Sequence, residues 1–190
     1  GLNCARNIYA AVKEADDGYI FSKSVHGRNL SKAEKQWVLL EDDYANRYTA
    51  YYDESGNMKY KIKSCTDIFS YSFKETDADT GEIRTVSFSV KEKRIVSFNP
   101  ALAEKQKAEI MKEIQKAGSY VTCKDITREE LGDSAKYISV KNLSSDGKKI
   151  KPDISLNYDK INEDMALAGY NMIVTSETDM EPDDIYRTYH

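Results

Sequence analysis

Between residues 47 and 98 the side chains alternate in character, and this period of two limits what the chain can build. Phe69, Tyr71 and Phe73 alternate with Ser70, Ser72 and Lys74, and Val86, Phe88 and Val90 alternate with Ser87 and Ser89. Successive side chains of a strand point to opposite faces, so the pattern describes strands with one apolar and one polar face. Tyr48, Ala50 and Tyr52 begin the alternation, Tyr60 and Ile62 resume it, and Ile95 and Phe98 carry it past the charged interval Lys91-Glu92-Lys93-Arg94. Glu54-Ser55-Gly56-Asn57 and the stretch from Asp77 to Gly81 have turn chemistry. The segment therefore predicts a run of antiparallel strands joined by tight loops, with Phe69, Tyr71 and Phe73 on one face and Ser70 and Ser72 on the other. A tyrosine-bearing face of this kind serves either as core or as a binding surface.

The flanks read differently. Ala5, Ile8, Tyr9 and Val12 make one helical stripe over residues 3–15, Asp17-Gly18 ends it, and Tyr19-Ile20-Phe21-Ser22 follows as a strand. Ser31-Lys32-Ala33-Glu34 is a capping box opening a short helix through Trp37, Leu39 and Leu40, with Trp37 either a core anchor or a ligand platform. Asn99-Pro100 caps a helix running to about Ala117, with Ile110, Met111 and Ile114 as its stripe and Gly118 as its stop. A weak helix over Thr127 to Leu131, a strand over Tyr137 to Val140 and a hairpin at Asp146-Gly147 are expected next. Tyr158, Ile161, Met165 and Ala168 give a further helix that Gly169 ends. The buried strand Gly169 to Glu177 follows, and then a helix that Asp179, Pro182, Asp183 and Asp184 start well. No Gly, Asn or basic turn closes that last helix, which reads as a cut inside a longer protein.

Charged residues make up 32% of the chain and hydrophobic ones 40%, the balance of a polar globular domain. No apolar run approaches the roughly 18 residues that a bilayer-spanning helix needs, so no membrane partner is expected. The 3 cysteines, Cys4, Cys65 and Cys123, form no Cys-x-x-Cys pair and read as buried thiols of a cytoplasmic protein. Net charge is −4, but its sign is uneven. Lys91, Lys93 and Arg94 form one basic stretch and Lys148, Lys149 and Lys151 another, while both ends are acidic. Basic stretches sharing a face can hold a polyanion, or they can simply solvate a surface.

Catalytic constellations are missing from the sequence. It has no Gly-rich phosphate loop, no Gly-x-Ser-x-Gly elbow and no His-Glu-x-x-His. Of the many carboxylates, Asp153 and Asp159 are the only candidates for a metal, and a surface role is the plainer reading of both.

The two ends resemble DDE transposases of bacterial insertion sequences, which have an RNase H-like catalytic core. Ile173-Val174-Thr175-Ser176-Glu177 followed by Ile185-Tyr186-Arg187-Thr188-Tyr189 is similar to the family's passage from an apolar strand into the helix of the third catalytic carboxylate. Tyr189 fits the tyrosine of the tyrosine–arginine–glutamate–lysine signature. Gly1-Leu2-Asn3-Cys4-Ala5-Arg6-Asn7-Ile8 resembles the segment after the second catalytic aspartate, and Gly18-Tyr19-Ile20-Phe21-Ser22 the core strand that follows. The resemblance implies a fragment between the second and third carboxylates, with no catalytic residue and no metal ligand of its own. Residues 1–30 and 169–190 would be elements of a truncated RNase H-like core, and residues 31–168 a β-rich insertion with helices. The expected class is α+β: an antiparallel β-rich insertion flanked by α/β elements.

The implied full-length activity is metal-dependent phosphodiester cleavage and strand transfer with Mg²⁺ or Mn²⁺. Its partner would be transposon-end DNA, and the family allows a homodimer. On this reading Tyr189, Lys91, Lys93, Arg94, Lys148, Lys149 and Lys151 are the candidate DNA-contacting residues. The rival readings are a non-catalytic β-rich module recognising protein or glycan through its tyrosine face, and a small hydrolase with an unrecognised site.

Overall fold

The computed structural model describes residues 4–27, 30–41, 47–77, 80–122, 128–141 and 153–189. The fold is mixed α and β. It divides into two compact units, one built from the described residues up to Asn99 together with those from Tyr170, the other from Pro100–Gly169.

The first unit is organised by one antiparallel sheet. Its strands are β1 (Ile20–Lys23), β2 (Thr49–Tyr52), β3 (Met58–Thr76), β4 (Ile83–Phe98) and β7 (Tyr170–Thr175), in the spatial order β1-β7-β4-β3-β2. The long hairpin β3–β4 keeps an unbroken register from Lys61 opposite Phe98 to Thr76 opposite Ile83. Phe69, Tyr71 and Phe73 lie on its more buried face, and Ser70 and Ser72 lie exposed on the other, as the alternation predicts. Asp53 builds the β2–β3 turn by accepting from the amides of Ser55 and Asn57 at 2.9 and 2.8 Å, with Gly56 at φ 82° where a side chain would be strained. The alternation fails locally in β2, where a register shift between Tyr51 and Tyr52 leaves Tyr52 exposed.

Helices cover the sheet. Helix α1 (Ala5–Tyr9) continues as a π-helical turn, Ala10–Glu14, and sets the Tyr9 ring edge-on to Phe73 and Phe88 at 5.4 and 5.2 Å. Helix α2 (Lys32–Leu39) starts with the expected capping box: Ser31 Oγ accepts from the Glu34 amide and Glu34 Oε2 from the Ser31 amide. Its other end is closed by side chains from the sheet. Lys63 Nζ donates to the carbonyls of Trp37 and Leu40, and the Tyr48 hydroxyl to that of Val38. These groups satisfy carbonyls that the end of a helix leaves orphaned, and the cation suits the negative end of the dipole. Trp37 is half-buried, with the Lys63 ammonium 4.8 Å from its ring. Helix α6 (Pro182–Tyr189) packs Ile185 against Ile62, Ile95 and Ile173, beside a stack of Tyr51, Tyr60 and Tyr186.

The second unit is mainly helical. Helix α3 (Pro100–Thr122) runs through Gly118 rather than stopping at it. A glycine inside a helix costs only about 1 kcal/mol, and Ile110 and Ala117 are both buried against Tyr137, Ile161 and Ala168. Helix α4 (Arg128–Leu131) leads into a 3₁₀ turn, Gly132–Tyr137, and β5 (Ile138–Lys141) pairs with β6 (Asp153–Leu156), a strand the sequence pattern did not suggest. Asn157 caps α5 (Tyr158–Leu167), and Gly169 ends that segment at φ 86°. The Tyr137 hydroxyl donates to Asp164 at 2.9 Å, inside this unit's core. The hairpin expected at Asp146-Gly147 lies outside the described residues.

The division differs from the expected 1–30, 31–168 and 169–190. β2, β3 and β4 share one sheet with β1 and β7, so the segment set apart is Pro100–Gly169 and its core is helical. Lys63, 3% exposed, gives the first test. Lys63→Met removes a buried donor from the Trp37 and Leu40 carbonyls and should destabilise the chain by about 1–3 kcal/mol in urea unfolding, whereas Lys59→Met, on an exposed position, should change little.

Candidate functional site

The passages singled out at the two ends of the sequence meet. β1 and β7 pair antiparallel, with Ile20 opposite Thr175 and Lys23 opposite Met172. Just before β1, the Tyr19 peptide is clamped from both sides. Its amide donates to Ser176 Oγ at 2.8 Å, and its carbonyl accepts from the Ser176 amide at 3.1 Å and from Thr175 Oγ1 at 2.9 Å. Thr175 Oγ1 in turn accepts from the Glu177 amide at 3.0 Å. Hydroxyls at 175 and 176 thus fix the chain where it leaves the sheet. At Gly18 a β-carbon would stand 2.6 Å from Glu177 Oε1 and 3.2 Å from Ser176 Oγ, so a side chain there would require the flexible Glu177 carboxylate to move.

Beside this junction lies a cleft of about 480 Å³. Asp17, Gly18 and Tyr19 form one wall, Thr175 and Glu177 a second, and Met180, Ile185 and Thr188 a third. The cleft brings together the entry to β1, the exit from β7 and one side of α6. Two carboxylates, Asp17 and Glu177, border it. Among the described residues no three His, Cys, Asp or Glu side chains converge as a metal-binding set, and Asp153 and Asp159 are both exposed.

A buried charge network holds Tyr19 from below. Glu92 is fully buried, and its Oε1 accepts from the hydroxyls of Tyr19 and Tyr71 at 2.5 and 2.6 Å. Arg94 reaches Glu92 Oε2 at 3.3 Å and Glu34 Oε1 at 2.6 Å, with its guanidinium 3.4 Å above the centre of the Phe69 ring. Lys23 adds a 3.4 Å contact to Glu34. Burial, reinforced by the Glu92 carboxylate, pushes the phenols of Tyr19 and Tyr71 well above their ordinary range. Burial and the neighbouring Arg94 cation lower the Lys23 ammonium. Burial opposes ionisation of Glu34, but the Ser31 hydrogen bonds together with Lys23 and Arg94 outweigh it and hold its carboxyl below the usual value. The network ties β1, β3, β4 and α2 together, although Arg94 Nε is buried without a hydrogen-bond partner among the described residues.

The candidate DNA-contacting residues separate on this framework. Lys91 is exposed. Lys93 and Arg94 are 8% and 5% exposed, Lys93 donating to the Met180 carbonyl and Arg94 serving the network, so neither presents its charge to solvent as the basic-stretch reading expected. Tyr189 lies near the end of α6, 39% exposed. Lys148, Lys149 and Lys151 lie outside the described residues. Of the tyrosines, Tyr71 donates to Glu92; Tyr51, Tyr60 and Tyr186 pack ring against ring while half-buried, and Tyr52 is exposed. Neither Glu92 nor Tyr19 stands out in the sequence as a site residue. The available signal was parity, because Glu92 and Arg94 fall on the same side of β4 as Val90 and Val96.

No protein-family model matches this chain, and neither does any curated protein or solved structure.

The raised phenols fix a pH dependence. An unfolded phenol ionises near about pH 10, while folded Tyr19 and Tyr71 keep their protons beyond it. Above that pH the unfolded state binds fewer protons, so the stability these groups contribute is complete below about pH 10 and declines as pH rises further. Urea unfolding across this range should show a shallower alkaline decline for Tyr71→Phe than for the unsubstituted chain. At neutral pH the same substitution should cost about 1–3 kcal/mol, because Glu92 loses a donor.

Proposed function

We propose that this chain is a segment of a DDE transposase of a bacterial insertion sequence, lying between the second and third catalytic carboxylates of an RNase H-like core. One observation carries the reading. Gly18–Ser22 and Ile173–Glu177, each similar to a different core passage of that family, are far apart in sequence yet lie against each other as paired strands and share a cleft with α6. A chance resemblance at two ends would not require the two ends to be neighbours.

In this reading the segment supplies walls and DNA contacts. Three carboxylates outside it would hold the Mg²⁺ or Mn²⁺ ions that activate water or a 3′-hydroxyl and stabilise the leaving oxygen. The described side chains do not themselves make such a set. What they do is fix α6. Ile185 seats the helix on the sheet, Lys93 holds the preceding Met180 carbonyl, and the Tyr189 end is left accessible. A residue two turns beyond Tyr189 would therefore have its direction set by this packing. The partner of the whole protein would be transposon-end DNA.

The test is the gene around this segment. The expected reading frame has a strand ending in Asp immediately ahead of Gly1 and a Glu about seven residues after Tyr189, two helical turns on. The protein made from that frame should nick transposon-end DNA with Mg²⁺ or Mn²⁺ and stop doing so when that Glu is replaced by Gln. A frame lacking either carboxylate would overturn the proposal.

A further inference from the structure

The β3–β4 hairpin has a second, uncovered face. β2 pairs with β3 only as far as Ile62, and β7 with β4 only as far as Lys93, so from Ile68 and Lys91 outward the two strands pair only with each other. One side of this ribbon receives Tyr9 of α1 against Phe73 and Phe88. Its other side is exposed at every position from Ile68 to Thr76 on β3 and from Ile83 to Lys91 on β4.

The chemistry of that exposed side is sorted by strand parity. The register places Ser70 opposite Ser89 and Ser72 opposite Ser87, with Oγ of Ser70 and Ser89 3.0 Å apart. Lys74 and Lys91 stand toward the two ends of this ladder, separated by roughly 20 Å at 3.3 Å per residue. All three carboxylates of the ribbon, Asp67, Glu75 and Glu92, fall on the opposite face. Neither Lys74 nor Lys91 enters an ion pair among the described residues. The strip is thus cationic at both ends, rich in hydroxyls between, and free of negative charge, inside a chain whose net charge is −4.

We propose that this face is a contact surface for double-stranded DNA, in which Lys74 and Lys91 take backbone phosphates and Ser70, Ser72, Ser87 and Ser89 donate to backbone oxygens. The choice of DNA as the polyanion rests on the transposase reading, and the face itself on the charge sorting. Serine and lysine are common phosphate ligands that carry no base information, so the contact is insensitive to sequence. A two-stranded ribbon also fits a major groove about 12 Å wide. The face lacks the aromatic anchors of a protein-docking surface, its only large apolar side chains being Ile68 and Ile83. Lys74 thereby joins Lys91 as a contact residue, in place of the buried Lys93 and Arg94.

Fluorescence polarisation of a labelled duplex with this chain, between about 50 and 200 mM salt, tests the proposal. Each phosphate contact contributes about 0.9 to the slope of log affinity against log salt, so Lys74→Glu with Lys91→Glu should lower that slope by about 1.8 and weaken binding more than about tenfold. Lys105→Glu with Lys112→Glu, the same charge change on exposed positions of α3, should have little effect. Circular dichroism should show both doubles folded, and Ser72→Asp, which adds a negative charge inside the ladder, should weaken binding as well. Equal losses in the two doubles, unchanged binding in the ribbon double, or no duplex binding by the unsubstituted chain would each overturn the inference. So would self-association of the chain that Ile68→Glu abolishes, since it would give the face to protein. The transposase reading stands or falls separately, on the flanking carboxylates.

Discussion

The first unit is organised around one buried carboxylate. Glu92 is fully enclosed, and an unpaired ion there would cost several kcal/mol. Two phenols and a guanidinium reach it from three directions: Tyr19 from the entry to β1, Tyr71 from β3 and Arg94 from β4 itself. Arg94 then passes the constraint to α2 through Glu34, a residue already occupied in capping that helix. Both phenols and two of the guanidinium nitrogens find their acceptors only when these elements are in place, while Arg94 Nε stays without one among the described residues. A hydrophobic core of similar volume would tolerate sliding between β1, β3 and α2, whereas directed hydrogen bonds to a single carboxylate do not. Directed bonds of this kind add to the uniqueness of an arrangement even where the desolvation of the charges offsets their contribution to net stability.

That uniqueness reaches the cleft through one residue. The Tyr19 side chain points into the network while its backbone is held by Thr175 and Ser176. The wall formed by Asp17 and Gly18 is consequently tied both to the centre of the sheet and to the end of β7. On the opposite side, Lys93 connects the same strand, β4, to the loop ahead of α6. Neighbouring residues of one strand, Glu92 and Lys93, thus reach different borders of the cleft, because successive side chains leave a strand on opposite faces.

Patterns of period two and the chemistry of helix ends were readable directly. The ribbon faces of Phe69, Tyr71 and Phe73, the capping box at Ser31 and Glu34, the start of α6 at Pro182 and the end of α5 before Gly169 all depend on near neighbours in sequence. What could not be read depends on distant partners. Lys63, Lys93 and Arg94 look like any solvated cations until the carbonyls of α2, the Met180 carbonyl and Glu92 are brought to them. The boundary at Asn99 and Pro100 was missed because alternation shows that strands form but not which sheet they join. Gly118 was read as a stop because its local preference was weighed without the buried faces of Ile110 and Ala117.

The strand order also has a consequence in time. β7 sits between β1 and β4, yet it is the last of the five to be synthesised. The ribosome must add the 77 residues from Asn99 to Thr175 after completing β4, which takes roughly 4–15 s at about 5–20 residues per second. Throughout that interval the sheet has a gap where its most buried strand belongs, and the backbone groups of β1 and β4 that face it have no partner. Pro100–Gly169 is made entirely within the interval, and Ile110, Ala117, Tyr137, Ile161 and Ala168 form a buried cluster inside it. All residues of the second unit are thus synthesised before the first can be finished, and the insertion of one six-residue strand completes the sheet, while the cleft waits for α6.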